Sequence, residues 1–511
     1  MSSRSRRRRS EAVRKRSESR GRSVATSGRR RARSRRASRR ATVDFPAADG
    51  PSIATIVPRR TDHGTRRPLF PRPPAASLWG AGALAGPVRA VSTDGHRHFA
   101  RVLDSGSLPD LAREIGRTAS DPEGVGIMTR KARIYPVRLA HVALRAAPLL
   151  KQEALAVGAD SAHARGIADH SASESSVVLL ATYAQFRRLL PKLRRQPFGL
   201  ARIGAEIEAA LAHQMRRGAR TVRGARRSLV VGDRPRVLGV VNVTPDSFSD
   251  GGEYLAQDRA IALADRLVAE GADMIDIGGE STRPGAAPVD PEEEWRRIEP
   301  VLAGFAGRSS VPVSVDTRHA EVARRALARG ADFINDVSGL VDPAMRREIA
   351  AAHAGAIAMH MRGTPATMNG RTDYVDLREE VYEALAAQTD LARADGIDAD
   401  RLVVDPGLGF AKTPEQSLEL LAHAGELRSL GYPVAIGASR KSMLGWAIGG
   451  GGIEARAEAG IAAAVVAALQ GVELIRVHEV GPTVRALALV ARLRASEPSG
   501  GDLLGAGEET D

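Results

Sequence analysis

The sequence predicts an α/β protein: a (β/α)8 TIM barrel over residues 236–495, preceded by a small α/β domain and a disordered basic N-terminal tail. Three observations predict it. Eight short apolar runs follow residue 235, with a helix-like segment between each pair, which is the element count of one barrel. The runs are continuous rather than alternating, as strands covered on both faces are. The phrases EGADMIDIGG and RGADFINDVS repeat one helix-stop-strand pattern. A doubly wound open sheet is the alternative.

Residues 1–40 hold 18 of the 75 Lys+Arg and two of the 60 acidic residues, leaving 57 against 58 in the rest. The whole basic excess therefore lies in the tail. Segments such as SRSRRRRS and GRRRARSRRASRR carry almost no apolar side chain, cannot offset their ordering entropy, and are expected to be disordered. A solvated extension is the favoured reading. Nucleic-acid contact through phosphate is the alternative, and no aromatic residues are interleaved for base stacking. Residues 1–87 read as an Arg/Ser/Pro-rich tail and linker. Residues 88–225 read as a small α/β domain, from the patterned segments GVGIMTRKARIYPVRL, SSVVLLATYAQFRRLL and AEIEAALAHQMRR. No convergent set of polar groups stands out there. Residues 496–511 read as a disordered C-terminal tail.

The chain has no cysteine, which excludes disulfide scaffolds, thiolate metal sites and cysteine nucleophiles and agrees with a cytoplasmic location. The most apolar window, Ala457 to Ile475, carries Glu458, Gln470 and Glu473. It reads as a buried helix running into a strand, so no membrane contact is expected.

The eight runs are RVLGVVNV, DMIDIGG, VPVSVDT, DFINDVS, AIAMHMRG, RLVVDPG, PVAIGASRKS and ELIRVHEV. Gly271, Gly330, Gly355, Gly431 and Gly471 stand just before strands, where helices close on left-handed caps. In a barrel the C-terminal strand ends face the active site, so the polar residue ending each run is informative. These residues are Asn242, Asp276, Asp316, Asn335, His360, Asp405, Lys441, and Arg476 with His478. Any one alone is a turn or cap residue; eight aimed at one rim read as a site.

Arg283, Arg476 and His478, with the Thr282 hydroxyl, suit a phosphate group, since guanidinium forks match its oxygens. Asn242 offers a neutral oxygen to a Mg²⁺ ion that shares phosphate oxygens. Asp316, Asp405 and Asn335 can accept and donate in one plane, as a flat amino-pyrimidinone ring requires, and Lys441 can reach its carbonyl or nitrogen. No Ser/His/Asp arrangement, HExxH zinc motif or GxxxxGK[ST] loop is present.

Taken together, NVTPDSFSDGG, DIGGESTRPGA, SVDT, NDVSG, MHMRGTPATM, VDPGLGF, GASRKSM and RVHEV make residues 236–495 similar to dihydropteroate synthase. That family joins a dihydropterin methyl diphosphate to 4-aminobenzoate in folate biosynthesis. The resemblance implies that Asn242 binds Mg²⁺ and that Thr282, Arg283, Arg476 and His478 hold the diphosphate. It implies that Asp316, Asn335, Asp405 and Lys441 hold the pterin, with Met359 and Phe410 as walls, and that Phe248, Pro284 and Ser442 meet 4-aminobenzoate. Asp246, Arg283, Asp405 and Lys441 are the groups it places at the reaction. It further implies a homodimer and competition by sulfonamides; the paired glycines of VNVTPDSFSDGG, beside a reactive loop, read as the Gly251-Gly252 hinge of a lid. Leu408 stands where the family commonly has a larger residue, and GGGG (Gly449 to Gly452) lengthens the loop after the seventh strand. A pterin-binding methyltransferase barrel and a non-catalytic pterin-binding paralogue are the competing readings.

Overall fold

The computed structural model describes residues 101–103, 108–167, 169–244, 252–282 and 285–495, with the side chains of 252–256 and 495 left aside. The proposed tail and linker at 1–87 and the C-terminal tail at 496–511 lie outside these residues. So do Asp246, Phe248, Gly251, Arg283 and Pro284.

In the small domain, β1 (Ile134–Ala143), β2 (Asp160–His163) and β3 (Glu174–Thr182) form an antiparallel sheet in the order β1-β3-β2. β3 alternates buried and open positions, so one face meets helices while the other stays wet. The following helix, Tyr183–Leu193, starts at a capping box in which Thr182 and Gln185 satisfy each other's backbone N–H groups. It packs Phe186 and Leu189 against Val177 and Leu179, with Ile207 of helix Leu200–Met215, in a core separate from that of the barrel.

A hairpin, β4 (Arg220–Val222) and β5 (Leu229–Val231), leads into eight parallel strands. They are β6 (Arg236–Asn242), β7 (Met274–Gly278), β8 (Val313–Asp316), β9 (Phe333–Asp336), β10 (Gly355–Met359), β11 (Leu402–Asp405), β12 (Ala435–Ile436) and β13 (Leu474–Val477). β6 to β11 pair in succession, and β13 and then β12 extend the sheet beyond β6. The ring closes where Val404 bridges Val434 and its N–H donates to Pro433 O at 2.9 Å. The sheet is thus a TIM barrel and not an open doubly wound sheet.

The hairpin crosses residue 225 and packs with the barrel. Val222, Leu229 and Val231 bury against Leu238, Met274, Phe333, Ile357, Val403 and Leu474, which point inward at the strand starts. This plugs the end opposite the strand termini. Buried Asp332 ties the plug down, accepting from the Arg226 and Arg227 backbone N–H groups and pairing with the Arg227 side chain at 2.9 Å.

Gly271, Gly330, Gly431 and Gly471 have φ of +102°, +121°, +92° and +92°, as expected of helix-closing glycines. Gly355 does not. There the left-handed residue is His353 at +48°, and Gly355 is the first residue of β10. Its lack of a side chain serves packing, because a Cβ would meet the Phe333 ring at 2.1 Å.

Candidate active site

Strand side chains alternate between faces, so an inward residue at the plug dictates which residue faces inward at the rim. From Leu238 the inward set on β6 continues to Asn242, and from Met274 on β7 to Asp276 and Gly278. From Phe333 it reaches Asn335, from Ile357 Met359, from Val403 Asp405, and from Leu474 Arg476. The register then lines up Asn242, Gly278, Asp316 and Asn335 across four neighbouring strands. One alternation pattern builds both floor and rim.

Arg476 organises one side of the mouth. Its Nε donates to Asp276 Oδ2 and its Nη2 to Asp316 Oδ2, each at 2.7 Å, while Asn335 Nδ2 donates to Asp276 Oδ2 at 3.0 Å. Burial works against the guanidinium charge, but the two carboxylates raise its pKa above the ordinary arginine value. Burial pushes Asp316 upward against the lowering influence of Arg476. One buried oxygen on each carboxylate, Asp276 Oδ1 and Asp316 Oδ1, has no hydrogen-bond partner. Unpaired acceptors this deep are a reason to expect a donor-bearing ligand.

Asp405 and Lys441 form the other side. Asp405 Oδ1 accepts the Gly407 N–H at 2.7 Å, and burial raises its pKa against Lys441. Lys441 precedes helix Ser442–Ala447, donates to the Leu408 carbonyl and holds its Nζ 4.5 Å from the Phe410 ring centroid. Burial lowers its pKa to about 8, opposed by Asp405. Arg440 beside it is held at φ +61°, a left-handed conformation that costs a non-glycine residue energy, and its side chain pairs with Glu479. The strained turn sets where Lys441 begins.

Met359 is buried beside Asp405, its register partner across β10 and β11. His478 Nδ1 lies 3.0 Å from Ser439 Oγ, which donates to Glu479 at 2.9 Å. Thr282 is half-buried in the loop after β7. Ser442 is exposed and lines a shallow recess with Trp446, Gly449 to Gly451 and Arg456. It stands apart from the carboxylate network.

The surroundings of Asn242 suit a hard cation. A Cβ built on Gly278 would lie 3.7 Å from Asn242 Oδ1 and 3.3 Å from Asp316 Cβ, so glycine keeps open a space that two oxygen donors border. A neutral amide oxygen with a nearby carboxylate fits a hard cation that takes its remaining ligands from water and phosphate.

Sequence reasoning missed Lys412. It is buried, with Nζ 2.9 Å from His360 Nδ1 and 3.0 Å from the Phe410 carbonyl. Burial, and then the Lys412 charge, lowers His360 to about 3, and burial takes Lys412 well below its ordinary value against Asp405. A lone lysine directly after the apolar phrase LGFA was the available signal.

A family profile described as "Pterin binding enzyme" matches residues 238–478. The chain is 40% identical over 418 residues to a Halobacterium salinarum protein named "Probable bifunctional folylpolyglutamate synthase/dihydropteroate synthase". That match takes in 80% of this chain and 49% of the relative, so this chain spans about half of that protein's length. It is 42% identical over 264 residues to the dihydropteroate synthase of Escherichia coli, covering 52% of this chain and 93% of the relative. Among solved structures, the Xanthomonas albilineans dihydropteroate synthase with 4-aminobenzoic acid superposes with a TM-score of 0.51 and 44% identity. The match covers 54% of this chain and 99% of that one. With nearly the whole length of two such synthases matched at more than 40% identity, this chain belongs to the dihydropteroate synthase family of pterin-binding enzymes.

Proposed function

We propose that this chain condenses (7,8-dihydropterin-6-yl)methyl diphosphate with 4-aminobenzoate, giving 7,8-dihydropteroate and diphosphate. The observation that carries the reading is the pair of opposed sub-sites in one barrel mouth, Arg476 with Asp276 and Asp316, and Lys441 with Asp405. Orphaned Asp316 Oδ1 and the Asp405 carboxylate suit the N–H edge of an aminopyrimidinone ring, and Asn335 suits its complementary edge. Lys441 donates to a ring carbonyl or nitrogen, with Met359 and Phe410 as apolar walls. Arg476, His478, Thr282 and Arg283 take the diphosphate oxygens. Phe248, Pro284 and Ser442 face 4-aminobenzoate, and Asp246 belongs to the loop covering it.

In this reading the C–O bond to diphosphate breaks with its electron pair leaving on oxygen. The arylamine nitrogen then bonds the pterin methylene carbon and sheds a proton. The Asp405 charge favours the electron-poor ring that forms, and the arginines favour the departing anion. Mg²⁺ at Asn242, when bound, supplies further charge neutralisation to the leaving group. No protein nucleophile is required.

Exposed Leu469 and Leu489, on helices Ile453–Leu469 and Val480–Ala495, support a homodimer. No helix among the described residues is long and apolar enough to cross a membrane. The cysteine-free composition accords with a cytoplasmic enzyme.

Diphosphate release measured with each substrate alone and with both together tests the reading. Release only with both, inhibited by a sulfonamide in competition with 4-aminobenzoate, is expected. A methyltransferase barrel or a non-catalytic paralogue would release none.

A further inference from the structure

Three side chains converge between the loop after β7, helix Pro291–Phe305 and the loop after β8, and the rim chemistry uses none of them. They are Glu280, Glu294 in the first turn of that helix, and His319, which caps helix Ala320–Arg329. His319 Nε2 lies 3.8 Å from Glu280 Oε2 and 3.8 Å from Glu294 Oε2, and the three atoms all lie within 4.8 Å of one another.

Their partners make the arrangement unusual. Glu294 is fully buried, and neither of its oxygens nor His319 Nε2 lies within hydrogen-bond distance of a partner, the Thr317 hydroxyl standing near enough only to favour the Glu294 charge. A carboxyl group so placed is held as the neutral acid unless a cation joins it. The Arg318 guanidinium favours the Glu294 charge only in part. Arg318 is engaged with Glu280, Nε to Oε2 at 2.8 Å and Nη2 to Oε1 at 2.9 Å, and Glu280 Oε1 also accepts the Val289 N–H at 3.1 Å. Burial raises the Glu294 pKa to about 8, with the Thr317 hydroxyl opposing. The pocket is therefore short of positive charge where Glu294 and the imidazole meet.

The spacing defines what would fit. A point equidistant from three atoms so spaced lies about 2.2–2.5 Å from each, a few tenths of an ångström from metal–nitrogen and metal–carboxylate bonds of about 2.0–2.2 Å. One imidazole and two carboxylates suit a divalent first-row transition ion, whereas Mg²⁺ and Ca²⁺ prefer all-oxygen sets.

We propose that Glu280, Glu294 and His319 bind a divalent transition-metal ion of the Zn²⁺ class, at a site separate from Asn242. Glu280 stands two residues before Thr282, and His319 three after Asp316. The ion clamps the loop after β7 to the loop after β8 and so acts as a positioning element behind the rim. The proposal does not depend on the catalytic reading.

Calorimetric titration of the full chain with Zn²⁺, after chelator treatment and without substrates, tests it. One saturable Zn²⁺ per chain is expected, with a rise in Tm. Glu294→Gln, which keeps the shape, and His319→Ala should each weaken Zn²⁺ binding by about 100-fold, the upper end for disturbing a metal's ligand environment. Asn242→Ala should leave it unchanged. Absence of saturable binding by the unaltered chain overturns the proposal, as does unchanged affinity in either variant. Anomalous scattering at the zinc edge from Zn²⁺-soaked crystals needs no variant, and an ion placed away from His319 Nε2 would equally overturn it.

Discussion

Arg476 Nη2 donates to Asp316 Oδ2 at 2.7 Å, joining the last strand of the barrel to the third. The same guanidinium holds Asp276, so a single cation sits between two buried carboxylates. Arg476→Ala should lower unfolding stability by about 3–5 kcal/mol, the cost of leaving a buried ion pair with one partner. Urea denaturation measures it. Asp316→Asn in the same background should recover part of the loss, and full additivity of the two changes would show that the pair does not couple.

Lys441 gives a pH dependence with a definite sign. Its folded-state pKa is lowered to about 8, so the ammonium is present below that value and lost as pH rises through it. The kcat/KM for the pterin diphosphate should fall above pH 8 by about tenfold per unit. Lys441→Arg stays charged across this range, so its profile should be flat there even if the maximum is lower. An unaltered alkaline limb in that variant would assign the titration elsewhere.

Removing the Asn242 amide should act on metal dependence. Asn242→Ala is expected to raise the Mg²⁺ concentration for half-maximal turnover by about 10- to 100-fold with the circular dichroism spectrum unchanged. Turnover titrated against Mg²⁺ checks it.

Gly355→Ala tests packing far from the rim. Its Cβ would fall 2.1 Å from the Phe333 ring, and Phe333 is buried in the plug with little room to turn. Destabilisation of about 1–3 kcal/mol is expected from overpacking, read from the denaturation midpoint with turnover per folded molecule retained. A neutral effect would mean that β9 and β10 separate more easily than their spacing implies.

The barrel was legible because its signal is local. Each strand is one continuous apolar run ending on a polar residue, and the two-residue period carries Asn242, Asp405 and Arg476 to a common rim. Pairing across the rim was not legible. Arg476 and Asp276 are 200 positions apart, and no local pattern says that a residue suited to phosphate is also held by two carboxylates. Asn335 likewise donates to Asp276, which leaves its carbonyl oxygen for a ligand. Lys412 escaped notice because it sits in a loop, seven residues beyond the strand end at Asp405. Glu280, Glu294 and His319 come from three segments whose proximity depends on how helices pack around the barrel. Gly355 was misread for a physical reason: a glycine before a strand marks a left-handed turn in most of these units, and here it marks a neighbouring ring.

The β4–β5 hairpin bears on how this protein can be divided. The pterin-binding profile begins at residue 238, after the hairpin has ended at Val231, so the segment closing the base of the cylinder lies upstream of the residues that profile selects, although the 418-residue match to the Halobacterium salinarum relative reaches past it. A fragment beginning at Arg236 would keep every rim side chain yet open Leu238, Met274, Phe333 and Leu474 to solvent, an oily socket that invites self-association. The smallest self-sufficient piece starts no later than Arg220.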